Sequence, residues 1–199
     1  MTNKEQNLVV EREKVIAWLE NNVPPARVEH ILGVEQMSKE LAIIHNADVE
    51  KAKTAGLMHD LAKYFPADQL LAMAKQKGIE IDEICATRPH LLHADVSAIV
   101  AEDTFGVKDK EILSAIAQHT LGNARMLPLS SIVFVADKLE PNRGDTKELN
   151  TMREIARENL YRAVYQVCDI AIKKLIQKGR PIHPRTVATR NWAMQAGKC

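Results

Sequence analysis

Apolar residues recur every three or four positions along most of this chain, and that spacing predicts helices. In residues 25–46 the repeat runs through His30, Val34, Met37, Leu41 and Ile44, so one face of the helix is apolar. Similar stripes occupy residues 8–21, 49–64, 91–105, 108–121, 128–140, 147–178 and 184–195. No alternating apolar and polar run and no Asn-Gly or Asp-Gly hairpin turn occurs. We therefore expect an all-α fold.

Length and composition favour one globular domain. Hydrophobic residues make up 46% of the 199 residues and charged residues 27%, which suits a chain that buries a core. The net charge of +1 argues against electrostatic binding of the whole surface to a nucleic acid polymer or an acidic membrane. We expect a single domain over residues 1–199. Its core should span about 24–145, with one long packing helix and a C-terminal segment in 146–199.

The sequence indicates a reduced cytoplasmic setting. Cys85, Cys168 and Cys199 are an odd number of cysteines with no Cys-x-x-Cys spacing, which favours neither a disulfide framework nor a zinc knuckle. The first residues carry no apolar leader segment, and no stretch approaches the roughly 20 apolar residues of a membrane span.

Six polar residues lie on or beside the predicted apolar faces. They are His30, His59, Asp60, His93, His119 and Asp137. A buried polar group without a partner costs roughly 2–7 kcal/mol, so convergence of these residues explains the pattern better than several separate accidents. Four imidazoles with two carboxylates form a ligand set suited to iron, manganese, cobalt or zinc rather than calcium.

A simpler interpretation exists for each of these residues taken alone. A single histidine on an apolar face is more often a hydrogen-bonded core residue than a metal ligand. We keep that interpretation for His45, His90 and His183. Asp137 could merely pair with Lys138, although the valine-rich segment before it argues against a surface role.

Four motifs follow one another along the chain. They are Arg-x-x-His-x-x-Gly-Val at 27–34, Ala-Gly-Leu-x-His-Asp-x-Ala-Lys at 55–63, His-Thr-x-Gly at 119–122 and Ala-Asp-Lys-x-Glu-Pro-x-Arg at 136–143. In this order they resemble the HD superfamily of metal-dependent phosphohydrolases. More narrowly they resemble its YqeK-like family, the bacterial symmetrical diadenosine tetraphosphate hydrolases. The resemblance spans about residues 24–195 and implies a helical HD-domain fold.

The resemblance also implies a binuclear site with two divalent transition-metal ions, iron first, with manganese or cobalt as substitutes. One ion would be held by His30, His59, Asp60 and Asp137. The other would be held by Asp60, His93 and His119. Asp60 would therefore bridge the ions and take part in catalysis. A metal-activated water would split diadenosine tetraphosphate symmetrically into two ADP.

Substrate contacts are expected from residues close to these ligands in the sequence. Lys63 lies one helical turn after His59 and is the first choice for a catalytic phosphate contact. Arg143 would add a bidentate clamp, and Arg27 precedes His30 by one turn. The alternative for each cation is a solvated surface charge. Thr120 and Gly122 would shape the phosphate pocket.

One departure from the family pattern surrounds the third histidine. Ala94 and Ser97 stand where the family tends to have glycines. Ligation by His93 is expected to survive, while packing against that helix is less secure.

Two alternative functions stay open. One is an HD-type nucleotidase or pyrophosphatase acting on mononucleotides, and the other is a non-catalytic HD-fold binding protein. For either enzyme function, the tetraphosphatase or the nucleotidase, the expected partner is a small dinucleoside polyphosphate or nucleotide. The sequence leaves a homodimer open.

Overall fold

Helices form nearly all of the regular structure. The computed structural model describes residues 3–198, and no β-strand occurs in this range, which confirms the all-α prediction. The helices are α1 (Asn3–Asn22), α2 (Pro25–Ile44), α3 (Val49–Met58), α4 (Ala67–Gln76), α5 (Glu83–Thr87), α6 (His93–Phe105), α7 (Lys110–Gln118), α8 (Pro128–Leu139), α9 (Lys147–Glu158), α10 (Leu160–Gln177) and α11 (Pro184–Ala196). Short 3₁₀ turns cover Pro89–Leu92 and Pro141–Arg143. Cys199 lies outside the described residues.

Local capping defines several of these helix ends. The Asp48 side chain accepts a hydrogen bond from the Lys51 amide at the start of α3, and Asp109 caps α7 in the same way. Gly106 follows α6 with a φ of 71°, a left-handed conformation that glycine adopts without strain. The helix therefore ends at residue 105, where the apolar repeat of 91–105 predicts its end.

The central helix of the fold is α8. Every residue from Leu129 to Asp137 is buried, because α8 contacts α2 and α7 on one side and α10 on the other. A helix that is apolar around its whole circumference belongs in the interior of a domain. Asp137 is in its last turn, so the burial of α8 also buries this carboxylate.

The packing of α3 against α2 brings two backbones close together at Gly56. A Cβ atom on Gly56 would lie 2.9 Å from Ser38 Oγ and 3.0 Å from Glu35 Cα. Only a residue without a side chain fits this approach without moving one of the helices. The close contact positions the end of α3 beside the middle of α2.

The helices differ from the prediction in three respects. Helix α3 ends at Met58 and not at residue 64, because residues 59–64 form turns. The single long helix predicted at 147–178 is wrong: it is two helices, separated at Asn159. Asn159 has an extended backbone (φ −149°, ψ 102°), and its side chain caps α10 by accepting from the Arg162 amide. The short helix α5 lies in a segment where the sequence shows no apolar repeat.

Within residues 3–198, no helix combines the length and the hydropathy that crossing a bilayer requires.

Replacing Gly56 tests the close approach of α2 and α3. We expect Gly56→Ala to lower the free energy of unfolding by about 1–3 kcal/mol, because the added methyl overpacks a fixed backbone contact. Urea unfolding followed by circular dichroism measures this change. Thr54→Ala, on the same helix, is the matched control and should stay within about 0.5 kcal/mol of wild type. Equal stability of the two variants would contradict the packing argument.

Candidate metal centre

The six predicted polar residues come together although they belong to separate segments. His30 lies in the middle of α2, His59 and Asp60 follow α3, and His93 begins α6. His119 directly follows α7, and Asp137 lies in the last turn of α8. All six are nearly inaccessible to solvent, with His30 the most exposed at 6%. The helix packing thus gathers a polar cluster inside an apolar core.

Hydrogen bonds fix the orientation of all four imidazole rings. Three rings donate from Nδ1 to the carbonyl of the residue three positions earlier. These pairs are His59 with Gly56 (2.7 Å), His93 with His90 (2.6 Å) and His119 with Ile116 (2.8 Å). The fourth ring, His30, uses Nδ1 to contact Glu140 Oε1 at 2.9 Å. Because Nδ1 is used in these contacts, each ring points its Nε2 atom to the centre of the cluster.

Asp60 lies between two pairs of histidines. Its Oδ1 is 3.2 Å from His93 Nε2 and 3.5 Å from His119 Nε2. Its Oδ2 is 3.5 Å from His59 Nε2 and 4.0 Å from His30 Nε2. One carboxylate therefore offers a separate oxygen to each histidine pair.

Asp137 completes one side of the cluster. Its Oδ1 is 3.1 Å from His30 Nε2 and 3.8 Å from His59 Nε2. This side thus has two imidazoles and oxygens from two carboxylates. The opposite side has His93, His119 and the other oxygen of Asp60.

The spacing and the unpaired atoms fit bound cations. Nitrogen and oxygen ligands about 2.1 Å from one ion lie about 3.0–3.4 Å apart, close to many of the separations found here. His93 Nε2 and His119 Nε2 are 3.1 Å apart, so two lone pairs face each other. Among the described residues, His59 Nε2 and Asp60 Oδ1 have no hydrogen-bond partner. Buried acceptors that face one another are stabilised by a cation between them.

The protonation states of His119 and both carboxylates suit metal binding, whereas the Asp60 carboxylate raises the pKa of His59 against the effect of burial, so a metal ion at His59 would displace a proton. Burial lowers the pKa of His119 to about 4, so its imidazole is neutral at pH 7. Burial alone would raise the pKa of Asp137, but the charge of Lys138 and contact with His30 hold that pKa well below its ordinary value. The pKa of Asp60 is likewise held well below its usual range by the adjacent His59, against the effect of burial. Both carboxylates are therefore ionised.

The three predicted cationic contacts surround this cluster. Arg27 Nη1 is 3.1 Å from Asp60 Oδ2, and Arg143 Nη2 is 2.9 Å from Asp137 Oδ1. Lys63 Nζ is 3.0 Å from His93 Nε2. Burial lowers the pKa of Lys63 from its ordinary value. The structure brings all three beside the candidate ligands, where they could contact an anionic substrate.

Thr120 and Gly122 have different surroundings. The Thr120 hydroxyl lies 3.1 Å from His93 Nε2 and 3.0 Å from His119 Nε2, so it belongs to the cluster. Gly122 instead packs against α11, where a Cβ atom would lie 2.5 Å from Thr189 Oγ1. Its φ of 69° and this close contact give Gly122 a packing role.

Glu140 is the residue whose role the sequence did not reveal. It is 1% exposed, and one oxygen contacts His30 Nδ1 while the other accepts from the Asn142 amide at 2.6 Å. Gly33 makes room for this carboxylate, since a Cβ there would lie 2.3 Å from Glu140 Oε2. Such a partner orients a ligating imidazole and increases its basicity. The sequence signal that could have indicated this role is the position of Glu140, about one helical turn after Asp137 in the last of the four motifs.

Ser97, which stands where the family tends to have a glycine, makes a specific contact. Its buried hydroxyl accepts a hydrogen bond from the Ala62 amide at 2.9 Å. That amide lies in the turn that follows Asp60. Ser97 therefore ties α6 to the turn carrying two of the candidate ligands, a contact that glycine cannot make.

The other three histidines lie outside the cluster. His45 Nε2 contacts the Ala156 carbonyl at 2.7 Å, and the His90 side chain is exposed. His183 Nε2 contacts Asp82 Oδ2 at 2.6 Å, while its Nδ1 accepts from the Arg185 amide. Cys85 lies near this pair, but both His183 nitrogens are already hydrogen-bonded. His183 thus links the start of α5 to the start of α11.

The fold and this cluster define a helical His/Asp metal centre of the HD type. The model of the HD domain family matches residues 27–142, so the chain belongs to the HD-domain family. The matched segment begins at Arg27, one of the cationic residues of the site, and ends directly before Arg143.

Similar proteins narrow the family further. The chain is 34% identical to the symmetrical bis(5′-nucleosyl)-tetraphosphatase of Bacillus subtilis, over 91% of this chain and 96% of that protein. It is 31% identical to the protein of the same name from Halalkalibacterium halodurans, over 90% and 95%. A crystal structure from Clostridium acetobutylicum, described as a predicted HD superfamily hydrolase involved in NAD metabolism, superposes with a TM-score of 0.89. That match has 34% identity and covers 92% of this chain and 97% of the other.

Glu140→Gln tests the orientation of His30. We expect a roughly 10–100-fold loss of metal affinity, because the change removes a charge behind the imidazole and sets an amide donor against the Asn142 amide. Isothermal titration of metal-free protein with manganese measures the affinity. Glu29→Gln, an exposed change nearby, should leave it unaltered. Unchanged affinity in Glu140→Gln would remove Glu140 from the metal centre.

Proposed function

We propose that this protein is a symmetrical bis(5′-nucleosyl)-tetraphosphatase that hydrolyses diadenosine tetraphosphate to two ADP. The convergence of four Nε2 atoms and two ionised carboxylates inside an HD fold is the observation that carries the proposal. The relatives of that name align over nearly their whole length, which supports the choice of substrate.

The proposed ligands are divided between two divalent transition-metal ions. His30, His59, Asp60 and Asp137 bind one ion. Asp60, His93 and His119 bind the other. When bound, such ions lower the pKa of a coordinated water and neutralise charge on phosphate oxygens. Iron is the first choice, with manganese or cobalt as substitutes, because each suits mixed imidazole and carboxylate ligands.

The residues around the ligands hold the substrate. Lys63 and Arg27, both close to Asp60, donate to phosphate oxygens and orient the central phosphates. Arg143 is held by the Asp137 carbonyl and carboxylate, which leaves other guanidinium hydrogens for phosphate. Thr120, whose hydroxyl lies beside His93 and His119, donates its hydrogen to a phosphate oxygen. Attack by water on a phosphorus next to the midpoint of the phosphate chain then releases two molecules of ADP.

The setting of this activity is the cytoplasm. Cys85 and Cys168 are free and buried, and burial raises the pKa of their thiols to about 11 and about 12. Reduced thiols of this kind are typical of proteins in a reducing compartment. The proposed partner is the small dinucleoside polyphosphate itself.

Product analysis tests the function directly. Manganese-loaded protein incubated with diadenosine tetraphosphate should yield ADP as the only nucleotide product, as measured by anion-exchange chromatography. AMP with ATP would contradict symmetrical cleavage. Hydrolysis of mononucleotides in preference to the dinucleotide would favour the nucleotidase alternative. Metal binding with no turnover of either substrate would favour the hypothesis of a non-catalytic binding protein.

Asp60→Ala tests the bridging carboxylate. We expect hydrolysis to fall to background and metal content to fall below one ion per chain, since both histidine pairs lose their shared oxygen ligand. Plasma mass spectrometry of dialysed protein gives the metal content, and circular dichroism checks the fold. Full activity in this variant would refute the site assignment.

Lys63→Ala tests the phosphate contact. Loss of a hydrogen bond from a charged group costs about 1.5–3 kcal/mol, so kcat/KM should fall roughly 10–100-fold with metal content unchanged. Lys53→Ala is the control, because Lys53 pairs only with Glu50 on the surface of α3. Equal kcat/KM values for the two variants would exclude Lys63 from the substrate site.

A further inference from the structure

A cleft of about 930 Å³ opens beside the candidate metal centre. Arg27, Lys63 and Asp137 line its inner end, so the cleft and the metal centre share residues. From there it extends between the end of α8 and the neighbouring faces of α9 and α10. Its volume lies near the top of the range of about 300–1,000 Å³ for small-molecule sites.

Positive charge is concentrated along this cleft. Its lining includes six cationic side chains, namely Arg27, Lys63, Lys138, Arg143, Lys173 and Lys174. The acidic side chains in this lining are Asp137, which pairs with Lys138 and Arg143, and Glu148. Asp60, next to the inner end, pairs with Arg27 and Lys63. The chain as a whole carries a net charge of +1, so the cleft is far more cationic than the average surface. An enclosed cationic surface of this kind attracts polyphosphate anions.

The wall formed by α9 and α10 is apolar. Leu149 and Met152 contribute from α9, and Val167 and Ile170 contribute from α10. Val167 is buried at the base, whereas Ile170 remains 42% exposed. Lys174 follows Ile170 by one helical turn and therefore lies on the same face, nearer the outer rim. An exposed apolar wall between cationic ends is suited to a flat, weakly polar group attached to phosphates.

From this arrangement we infer that the α9–α10 wall binds one nucleoside of the substrate, with its base against Ile170 and Leu149. This inference rests on the proposed function, because it takes the phosphates to lie at the metal centre. The attached phosphate chain passes Lys138 and Arg143 to reach Lys63. The wall thereby distinguishes nucleotides from phosphate chains that lack a base.

Ile170→Asn tests the wall without changing any charge. We expect a roughly tenfold rise in KM for diadenosine tetraphosphate and in the Kd for ADP, because the base loses an apolar contact. The kcat should change less than twofold, since no group at the metal centre is altered. Isothermal titration with ADP gives the Kd independently of turnover.

Ile176→Asn is the matched control. Ile176 is on the same helix and 65% exposed but does not line the cleft, so the same change there should alter neither KM nor Kd. Inorganic pyrophosphate, which has no base, should bind the wild type and both variants equally. Equal ADP affinity of the two variants would overturn the nucleoside site, as would a matching loss of pyrophosphate binding in Ile170→Asn.

The two proposals fail in different ways. If the wild type produces no ADP from diadenosine tetraphosphate, the proposed function fails. The ADP titrations still decide on the nucleoside wall in that case. If ADP forms but both variants behave as wild type, the function stands and the wall is excluded.

Discussion

Four hydrogen bonds donated by imidazole Nδ1 atoms determine what the centre of this protein can bind. Three of the acceptors are backbone carbonyls within the same turn, and the fourth is Glu140. Because every Nδ1 hydrogen is used, every Nε2 atom faces the two carboxylates. Such a set of acceptors repels itself in a buried site, so the surrounding helices hold together groups that a cation would stabilise. The apolar packing of α2, α3, α7 and α8 is therefore what makes the ligand geometry available.

Sequence periodicity predicted the helical fold and indicated that six polar residues lie on or beside buried faces, and the structure brings these residues together. It did not predict the break at Asn159, since the apolar positions keep nearly the same period across α9 and α10 and only the capping side chain marks the interruption. It also placed the end of α3 too late, because the turns after Met58 remain apolar and buried. The contact of Glu140 with His30 joins distant parts of the chain, and no local pattern reports it.

Composition hides the distribution of charge. The chain as a whole is nearly neutral, yet six of its 27 lysine and arginine side chains line one cleft together with only two acidic side chains. Surface pairs such as Lys51 with Asp109 and Lys77 with Asp103 neutralise much of the remaining charge. The local charge along this cleft thus depends on which charged side chains the tertiary structure brings together.

The wide separation of the ligands along the chain has a consequence for the order of folding. His30 and Asp137 belong to different helices, and their side chains meet only after α2 and α8 have packed together. Contacts between distant residues form slowly, because a long loop of chain must first be closed. Each of these helical segments carries only one or two of the six residues. A metal ion that needs the whole cluster would therefore bind late, after the helices have packed together.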